Sequence, residues 1–175
     1  LRLSSELLVK RKPLFEAGFM SNRTYARVDV LVPVDDDKWD IVEVKMGSSV
    51  KEINYHDLAF QRYCYEGAGL RIRRCHLMHI NRAYVRQGAI DPSQLLVVEN
   101  VTDLLPDYSQ QVGDRVAGML QTIDADTCPD QDIGPHCDDP YECPLKPMCW
   151  AHVWENDNHV FTLPRARGRQ WALYQ

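Results

Sequence analysis

Two β-rich stretches separated by an acidic turn constrain this chain more than any other feature of its sequence. Residues 25–34 and 39–46 alternate polar and apolar side chains over much of their length, and valine is common in both. Residues 35–38 between them have the sequence Asp-Asp-Asp-Lys, which is typical of a polar turn. The pattern predicts a β-hairpin of two adjacent antiparallel strands.

The predicted hairpin determines where its polar side chains point, because side chains two residues apart on a strand share a face. Glu43 and Lys45 share one face of the second strand, and Val44 lies on the other. Asp29 on the neighbouring strand can then meet Glu43 and Lys45 on a surface backed by valines. The two faces predicted for the first strand are Arg27, Asp29 and Leu31 against Val28, Val30 and Val32.

Two carboxylates and an ammonium in one place suit a particular chemistry. Carboxylate oxygens are ligands that Mg²⁺ prefers, and the ion usually keeps waters that a substrate phosphate can replace. A lysine beside the ion can orient the attacking water and offset the charge that builds on the phosphate. The alternative is an exposed hairpin with an ordinary ion pair on its wet face, since Glu-x-Lys is a common sequence.

A helix is predicted after the hairpin. Asn54 is expected to cap it with Asp57 as its third residue, in a variant of the capping box, and the helix would run to about Glu66. Gln61 and Tyr65 lie one turn apart on the same face of this helix. Taken alone, the pair could equally belong to an ordinary helix that packs Tyr65 and leaves Gln61 on its rim.

In this order, Asp29, Glu43-x-Lys45 and Gln61-x-x-x-Tyr65 resemble the motifs of the PD-(D/E)XK nuclease superfamily, and the helical pair is similar to that of its RecB-like branch. The resemblance implies an α/β fold with a restriction-endonuclease-like mixed sheet flanked by helices. It also implies a metal-dependent nuclease that hydrolyses single- or double-stranded DNA. We expect an exonuclease of DNA repair, recombination or phage defence, working with a helicase or nuclease partner protein.

The resemblance also assigns roles to single residues. Mg²⁺ or Mn²⁺ would be held by Asp29, Glu43 and the backbone carbonyl of Val44, and Lys45 would position the attacking water. The glutamine–tyrosine pair of the helix would hold the DNA strand or the shape of the site. No residue before the hairpin matches the extra metal-site residue that a preceding helix supplies in RecB-like nucleases. Glu16, on a strand predicted before the hairpin, could lie near the site, but a structural role at the sheet edge is favoured. A catalytically inactive DNA-binding subunit therefore stays open as an alternative.

The composition changes after residue 123. Residues 124–149 are rich in Asp, Pro and Cys, and contain the spacing C-x8-C-x5-C-x5-C at Cys128, Cys137, Cys143 and Cys149. So little apolar periodicity means that something other than a hydrophobic core must hold this segment. Disulfides are one solution, but thiolate–metal bonds are favoured in a chain without a secretion signal. Four thiolates suit either Zn²⁺ or an iron–sulfur cluster.

Residues 133–150 resemble the C-terminal cysteine cluster of bacterial RecB-like proteins related to CRISPR-associated and AddB-type iron–sulfur nucleases. In those relatives three cysteines after the core and one before it hold a [4Fe–4S] cluster, and Cys137, Cys143 and Cys149 match the downstream three. No cysteine precedes the predicted hairpin, so Cys128 or a cysteine outside this sequence would be the fourth ligand. The alternative is Zn²⁺, with Cys128 or His136 as fourth ligand, in an interaction module.

The remaining sequence suggests a small protein with two parts, a nuclease core at 1–123 and a loop-rich cysteine module with a C-terminal tail at 124–175. Further strands are predicted at 14–20, at 70–80 and, as a sheet edge, at 95–101, and a helical region from 102 to 123. The strand at 70–80 is expected to run parallel to the second hairpin strand. Cys64 and Cys75 are predicted to be buried structural cysteines.

The net charge of −5 argues against a protein that coats nucleic acid by charge alone. Short basic runs at 10–12, 71–74 and 165–169 could contact phosphate or simply be solvated surface. The chain begins without methionine and shows neither a secretion signal nor an apolar run long enough for a membrane span. We therefore expect a cytoplasmic protein or a fragment of one.

Overall fold

The computed structural model describes residues 2–35, 37–139, 141–166 and 168–174. Within them the chain divides into two compact units, 1–124 and 125–175. The first unit is built on a five-stranded sheet whose strands lie side by side in chain order. These strands are β1 (Leu14–Ser21), β2 (Thr24–Val34), β3 (Lys38–Lys45), β4 (Arg71–Ile80) and β5 (Leu96–Asn100).

The sheet is mixed, as the sequence predicts. Neighbouring strands pair antiparallel except β3 and β4, which are parallel and are joined by a helix. A parallel pair needs such a crossover, because the chain must return to the starting edge before it can run in the same direction. The helices of this unit are α1 (Arg2–Leu8), α2 (Glu52–Gly67), α3 (Pro92–Leu95), α4 (Pro106–Ser109) and α5 (Val112–Ile123).

The main core lies between α2 and the sheet. Leu58, Cys64 and Tyr65 of α2 are fully buried against strand residues such as Val28 and Leu77. Burial of these side chains is the main force that holds the helix on the sheet, since removing apolar surface from water stabilises the fold by about 25 cal/mol per Å². The two cysteines predicted to be structural are indeed buried, Cys64 in α2 and Cys75 in β4.

The N-terminus of α2 differs from the prediction. Lys51, not Asn54, is the N-cap, and Asn54 is the third helical residue. The Asn54 Oδ1 accepts a hydrogen bond from the backbone N–H of Lys51 at 2.9 Å. The helix therefore begins one turn earlier than expected, and Asp57 is left free of any capping role.

The predicted helical region from 102 to 123 is also interrupted. A 3-10 turn at Thr102–Leu104 is followed by the separate helices α4 and α5. Pro106 explains the first break, because it has no N–H to continue a helix but fits well at the first position of a new one. The helical periodicity seen in the sequence belongs to α5, in which Val112 and Val116 are buried.

The regular alternation expected of β2 slips by one residue around Asp29. Val28 and Leu31, three residues apart, are both fully buried in the same core cluster, although strict alternation would place them on opposite faces. The pairing of β1 with β2 omits Asp29 and its counterpart Glu16, which has a positive φ of 53°. The pairing of β2 with β3 ends at Val30. Asp29 therefore lies at an interruption of the β1–β2 pairing and one residue outside the β2–β3 pairing.

Tyr65 fastens α2 to the first two strands. Its hydroxyl donates to the carbonyl of Ala17 in β1 and accepts from the N–H of Val28 in β2 at 3.1 Å. Its ring also packs edge-on against Phe19, with centroids 5.0 Å apart. Burial raises the pKa of this phenol, so the hydroxyl keeps its proton and remains a donor.

The second unit has a much smaller core. Cys137, Trp150 and Val153 are buried, and the partly buried Phe161 and Trp171 pack against them. Its helices are α6 (Lys146–Cys149), α7 (Ala151–Trp154) and α8 (Gln170–Tyr174), with 3-10 turns at Pro135–Cys137 and Val160–Thr162. In neither unit does a helix of the described ranges have both the length and the apolarity to cross a membrane.

Tyr65→Phe is expected to lower the free energy of unfolding by about 1–3 kcal/mol, because it leaves the buried Val28 N–H without its partner. Urea denaturation of the two proteins measures the difference. Tyr63→Phe is the matched control, since the Tyr63 hydroxyl makes no hydrogen bond within the described residues. Equal effects of the two changes would contradict the anchoring role.

Candidate active site

The structure brings three of the predicted residues to one end of the central strands. Glu43 and Lys45 share a face of β3, and the Lys45 Nζ lies 2.9 Å from the Glu43 Oε1. Asp29 reaches the same strand from β2, where its Oδ2 accepts a hydrogen bond from the backbone N–H of Val44 at 2.6 Å. The irregularity in β2 makes this contact possible. The backbone pairing of β2 with β3 ends at Val30, and the Val44 N–H on β3 donates to the side chain of Asp29 instead.

Glu43 is the most deeply buried charged residue of this site. The residue is 8% exposed, and its Oε2 is buried with no hydrogen-bond partner among the described residues. Burial raises the pKa of this carboxyl, the ammonium of Lys45 and the nearby amide of Gln61 oppose the rise, and the charge of Asp29 adds to it. One oxygen of this buried acid thus accepts no well-formed hydrogen bond from the described residues, although the Gln61 amide lies nearby.

Lys45 is held by two carboxylates at once. Its Nζ lies 2.9 Å from the Glu43 Oε1 and 2.6 Å from the Asp57 Oδ2. Burial disfavours the charged amine, but the hydrogen bonds to Asp57 and Glu43 outweigh burial and raise the pKa of Lys45. Lys45 is therefore a fixed ammonium rather than a neutral amine at neutral pH.

Asp57 is the site residue that the sequence prediction missed, because it was placed in the cap of α2. Its second oxygen, Oδ1, accepts a hydrogen bond from the Gln61 Nε2 at 3.3 Å. The signal was present in the sequence: Asp57 and Gln61 are four residues apart, so they lie on one face of the helix. That face turns toward Lys45 of the preceding strand.

Gln61 and Tyr65 occupy different environments in spite of their shared face. Gln61 is 5% exposed, and its Oε1 is buried with no partner among the described residues. Tyr65 is fully buried, and among the described residues its hydroxyl bonds only backbone groups. Of the two roles considered for this pair, the contacts of Tyr65 favour holding the shape of the site.

Glu16 lies opposite Asp29 on β1 but pairs with a cation of β2. Its Oε2 pairs with the Arg27 Nε at 2.8 Å, and both side chains are more than half exposed. In the upstream helix α1, Glu6 pairs with Arg2 at 2.9 Å on the surface. Both acids are thus engaged in surface ion pairs.

His79 is a further polar neighbour that the sequence did not single out. It lies opposite Lys45 in the parallel pairing of β3 with β4. Its Nε2 is 2.7 Å from the Glu99 Oε1 of β5. The hydrogen bond to Glu99 raises the pKa of the imidazole, so this end of the sheet also carries an imidazole–carboxylate pair.

Parts of the predicted basic runs are used within the protein. The guanidinium of Arg73 binds the Asp40 carboxylate at 3.0 and 2.7 Å. Arg11 donates to backbone carbonyls of the β2–β3 turn and lies 4.4 Å above the Trp39 ring. These two arginines are therefore engaged within the protein, and a basic stretch in the sequence is not by itself a DNA surface.

In the described ranges, no three His, Cys, Asp or Glu side chains gather into a metal-binding group. Asp29 and Glu43 are two carboxylates, and the third predicted ligand is a backbone carbonyl. Because the N–H and C=O of one strand residue face the same neighbouring strand, the Val44 carbonyl lies on the side of Asp29. The four predicted cluster ligands are free thiols: Cys137 is buried, Cys143 half-buried, and Cys128 and Cys149 exposed.

No protein-family model matches this chain, and no curated protein matches it. Among solved structures, the crystal structure of SSO0001 aligns with 65% of this chain and 56% of its own, with 11% sequence identity and a TM-score of 0.31. This chain thus spans little more than half of that structure. A likeness of this size assigns neither a fold nor an activity.

Glu43→Gln is expected to raise the free energy of unfolding of the metal-free protein by about 1 kcal/mol, because it removes a buried and incompletely paired charge. Lys45 keeps Asp57 as its partner in this variant. Urea denaturation in the presence of a chelator measures the change. The exposed Glu52→Gln, on the same unit, should stay within about 0.5 kcal/mol of the wild type. A loss of stability in Glu43→Gln would show that the pair with Lys45 outweighs the burial of the charge.

Proposed function

We propose that this protein is a metal-dependent deoxyribonuclease with a restriction-endonuclease-like core of the RecB-like type. The observation that carries the proposal is the contact of Lys45 with Glu43 on β3, next to the hydrogen bond of Asp29 with the Val44 N–H. These contacts unite the two acids and the lysine whose order in the sequence resembles that of the superfamily. An exonuclease mode and a role in DNA repair, recombination or phage defence belong to the same proposal.

The donor atoms at this site fit a hard divalent cation. The buried and unpartnered Glu43 Oε2 is an orphaned acceptor, and the Asp29 carboxylate and the Val44 carbonyl are further oxygen donors. Mg²⁺ or Mn²⁺ accepts such oxygens and commonly binds through only one or two carboxylates, with waters completing its shell. When bound, the ion would supply a water of lowered pKa and neutralise charge on the phosphodiester.

The residues of the chain would do the rest. Glu43 and Asp29 fix the place of the ion on rigid strands, and Lys45 donates hydrogen bonds to the attacking water or to a phosphate oxygen. Because Lys45 is held charged, it stabilises negative charge rather than removing a proton. The buried Gln61 and Tyr65 keep α2 and its Asp57 in position. The products expected are a 5′-phosphate or 3′-phosphate end and a free hydroxyl.

Lys45→Met is expected to lower the rate of DNA cleavage at least about 100-fold, the usual loss when one charge-stabilising donor is removed. The measurement uses labelled single- and double-stranded DNA with Mg²⁺ and then Mn²⁺. Lys51→Met, in the exposed segment before α2, is the matched control and should cleave like the wild type. Equal cleavage by Lys45→Met and wild type would refute the assignment.

DNA binding without metal-dependent cleavage in the wild type would instead support the inactive DNA-binding subunit. Circular dichroism of both lysine variants ensures that a lost activity is not a lost fold. A binding titration on the same labelled DNA separates weakened binding from weakened catalysis.

The cysteine module is proposed to hold a [4Fe–4S] cluster, with Zn²⁺ as the alternative. The support is physical: its buried core is Cys137, Trp150 and Val153 with a few aromatic neighbours, and a unit of this size usually needs a covalent or metal staple. The described cysteines do not gather into a metal-binding group, so binding of a cluster would require them to come together.

Protein purified without oxygen is expected to be brown and to contain iron equivalent to one cluster per chain. Elemental analysis for iron and zinc, with a visible absorption spectrum, measures this. Replacing Cys137 and Cys143 together by Ser should remove the metal, whereas Cys75→Ser, within β4, should retain it. Zinc without iron would select the alternative, and neither metal would contradict both.

A further inference from the structure

We infer that Asp57 is a positioning residue that holds the Lys45 ammonium, so that Glu43 is free to bind a divalent cation. This inference rests on the proposed function, since it concerns the same site. It goes further because it explains how a lysine and a metal ion can share one carboxylate without competing for it.

The geometry gives Lys45 two partners on two different elements. Glu43 is two residues away on the same strand, whereas Asp57 projects from α2, across the segment that joins strand and helix. The shorter contact is with Asp57, at 2.6 Å from the Nζ against 2.9 Å for Glu43. Lys45 can therefore give up Glu43 and still keep a charged partner.

Asp57 is itself fixed. Its Oδ2 accepts from Lys45 and its Oδ1 from the Gln61 Nε2. Gln61 is buried one turn later on the same helix. Both oxygens of the Asp57 carboxylate are therefore occupied by this chain, which suits a residue that orients a neighbour rather than one that binds the ion.

The charges of these residues decide whether the metal-bound or the metal-free state is favoured. When a divalent cation sits on Glu43 and Asp29, it repels the nearby ammonium of Lys45. Asp57 offsets that repulsion and so favours the metal-bound state. Without Asp57, Lys45 has only Glu43 to pair with among its ionic contacts in the described residues, and it would compete with the cation for the same carboxylate.

The test is a double-mutant cycle on Mn²⁺ binding, measured by titration calorimetry on the full chain. Asp57→Asn should weaken Mn²⁺ binding roughly fivefold, the size of one partly buried ion pair. Lys45→Met should bind Mn²⁺ at least as tightly as the wild type. In the Lys45→Met background, Asp57→Asn should change the affinity by no more than about twofold, because the residue on which Asp57 acts is gone.

Glu52→Gln is the control for charge, since it removes one negative charge from the same helix without touching Lys45. Its Mn²⁺ affinity should match that of the wild type. An equal loss from Asp57→Asn in both backgrounds would show that Asp57 binds the ion directly and would overturn the inference. So would an unchanged affinity in Asp57→Asn, or a wild type that binds no Mn²⁺.

DNA cleavage by the same proteins separates this inference from the proposed function. If the Mn²⁺ cycle shows the expected coupling but no variant and no wild type cuts DNA, the positioning role stands and the nuclease does not. If the wild type cuts DNA and the cycle shows no coupling, the nuclease stands and the positioning role of Asp57 does not. In an active enzyme Asp57→Asn should lower kcat at saturating DNA with little change in KM, and Asp57→Glu should restore part of both kcat and Mn²⁺ affinity.

Discussion

The candidate site depends on one ammonium shared between a strand and a helix. Lys45 joins Glu43 of β3 to Asp57 of α2, and the same helix is fastened to β1 and β2 by the hydroxyl of Tyr65. Because α2 is also the crossover between the parallel strands β3 and β4, the topology itself brings the helical carboxylate over the strand. Fold and site are therefore specified by the same packing of one helix on one sheet.

This arrangement places charge where burial opposes it. A buried acid with an unpartnered oxygen does not contribute to stability, and the lysine beside it offsets only part of the cost of burial. Perturbed acids of this kind are concentrated at functional sites, although structural ion pairs also perturb pKa values. A divalent cation, which the proposed nuclease requires, would give the Glu43 Oε2 the partner that it lacks among the described residues.

Much of the sheet could be predicted from the sequence, because alternation and β-branched residues report the strands directly and the parallel pairing follows from the helix between β3 and β4. The place of Asp57 in the site could not be predicted, because a single acid after Asn54 fits a helix cap as well as a site. The observed N-cap at Lys51 decides between the two. The break at Pro106 was visible in the sequence, but the apolar spacing masked it. The cysteine module has too little periodicity for any such prediction.

The irregularity in β2 makes the position of the Asp29 carboxylate depend on the packing of the core. Val28 and Leu31 pack in the same core on either side of Asp29. The number of residues between them, and the position of the irregularity in the strand, are therefore fixed by the packing of these two side chains. A point substitution could erase the acid and keep the fold. Moving the acid by one position would require the hydrophobic residues around it to be rebuilt, so this carboxylate can be lost in divergence far more easily than it can migrate.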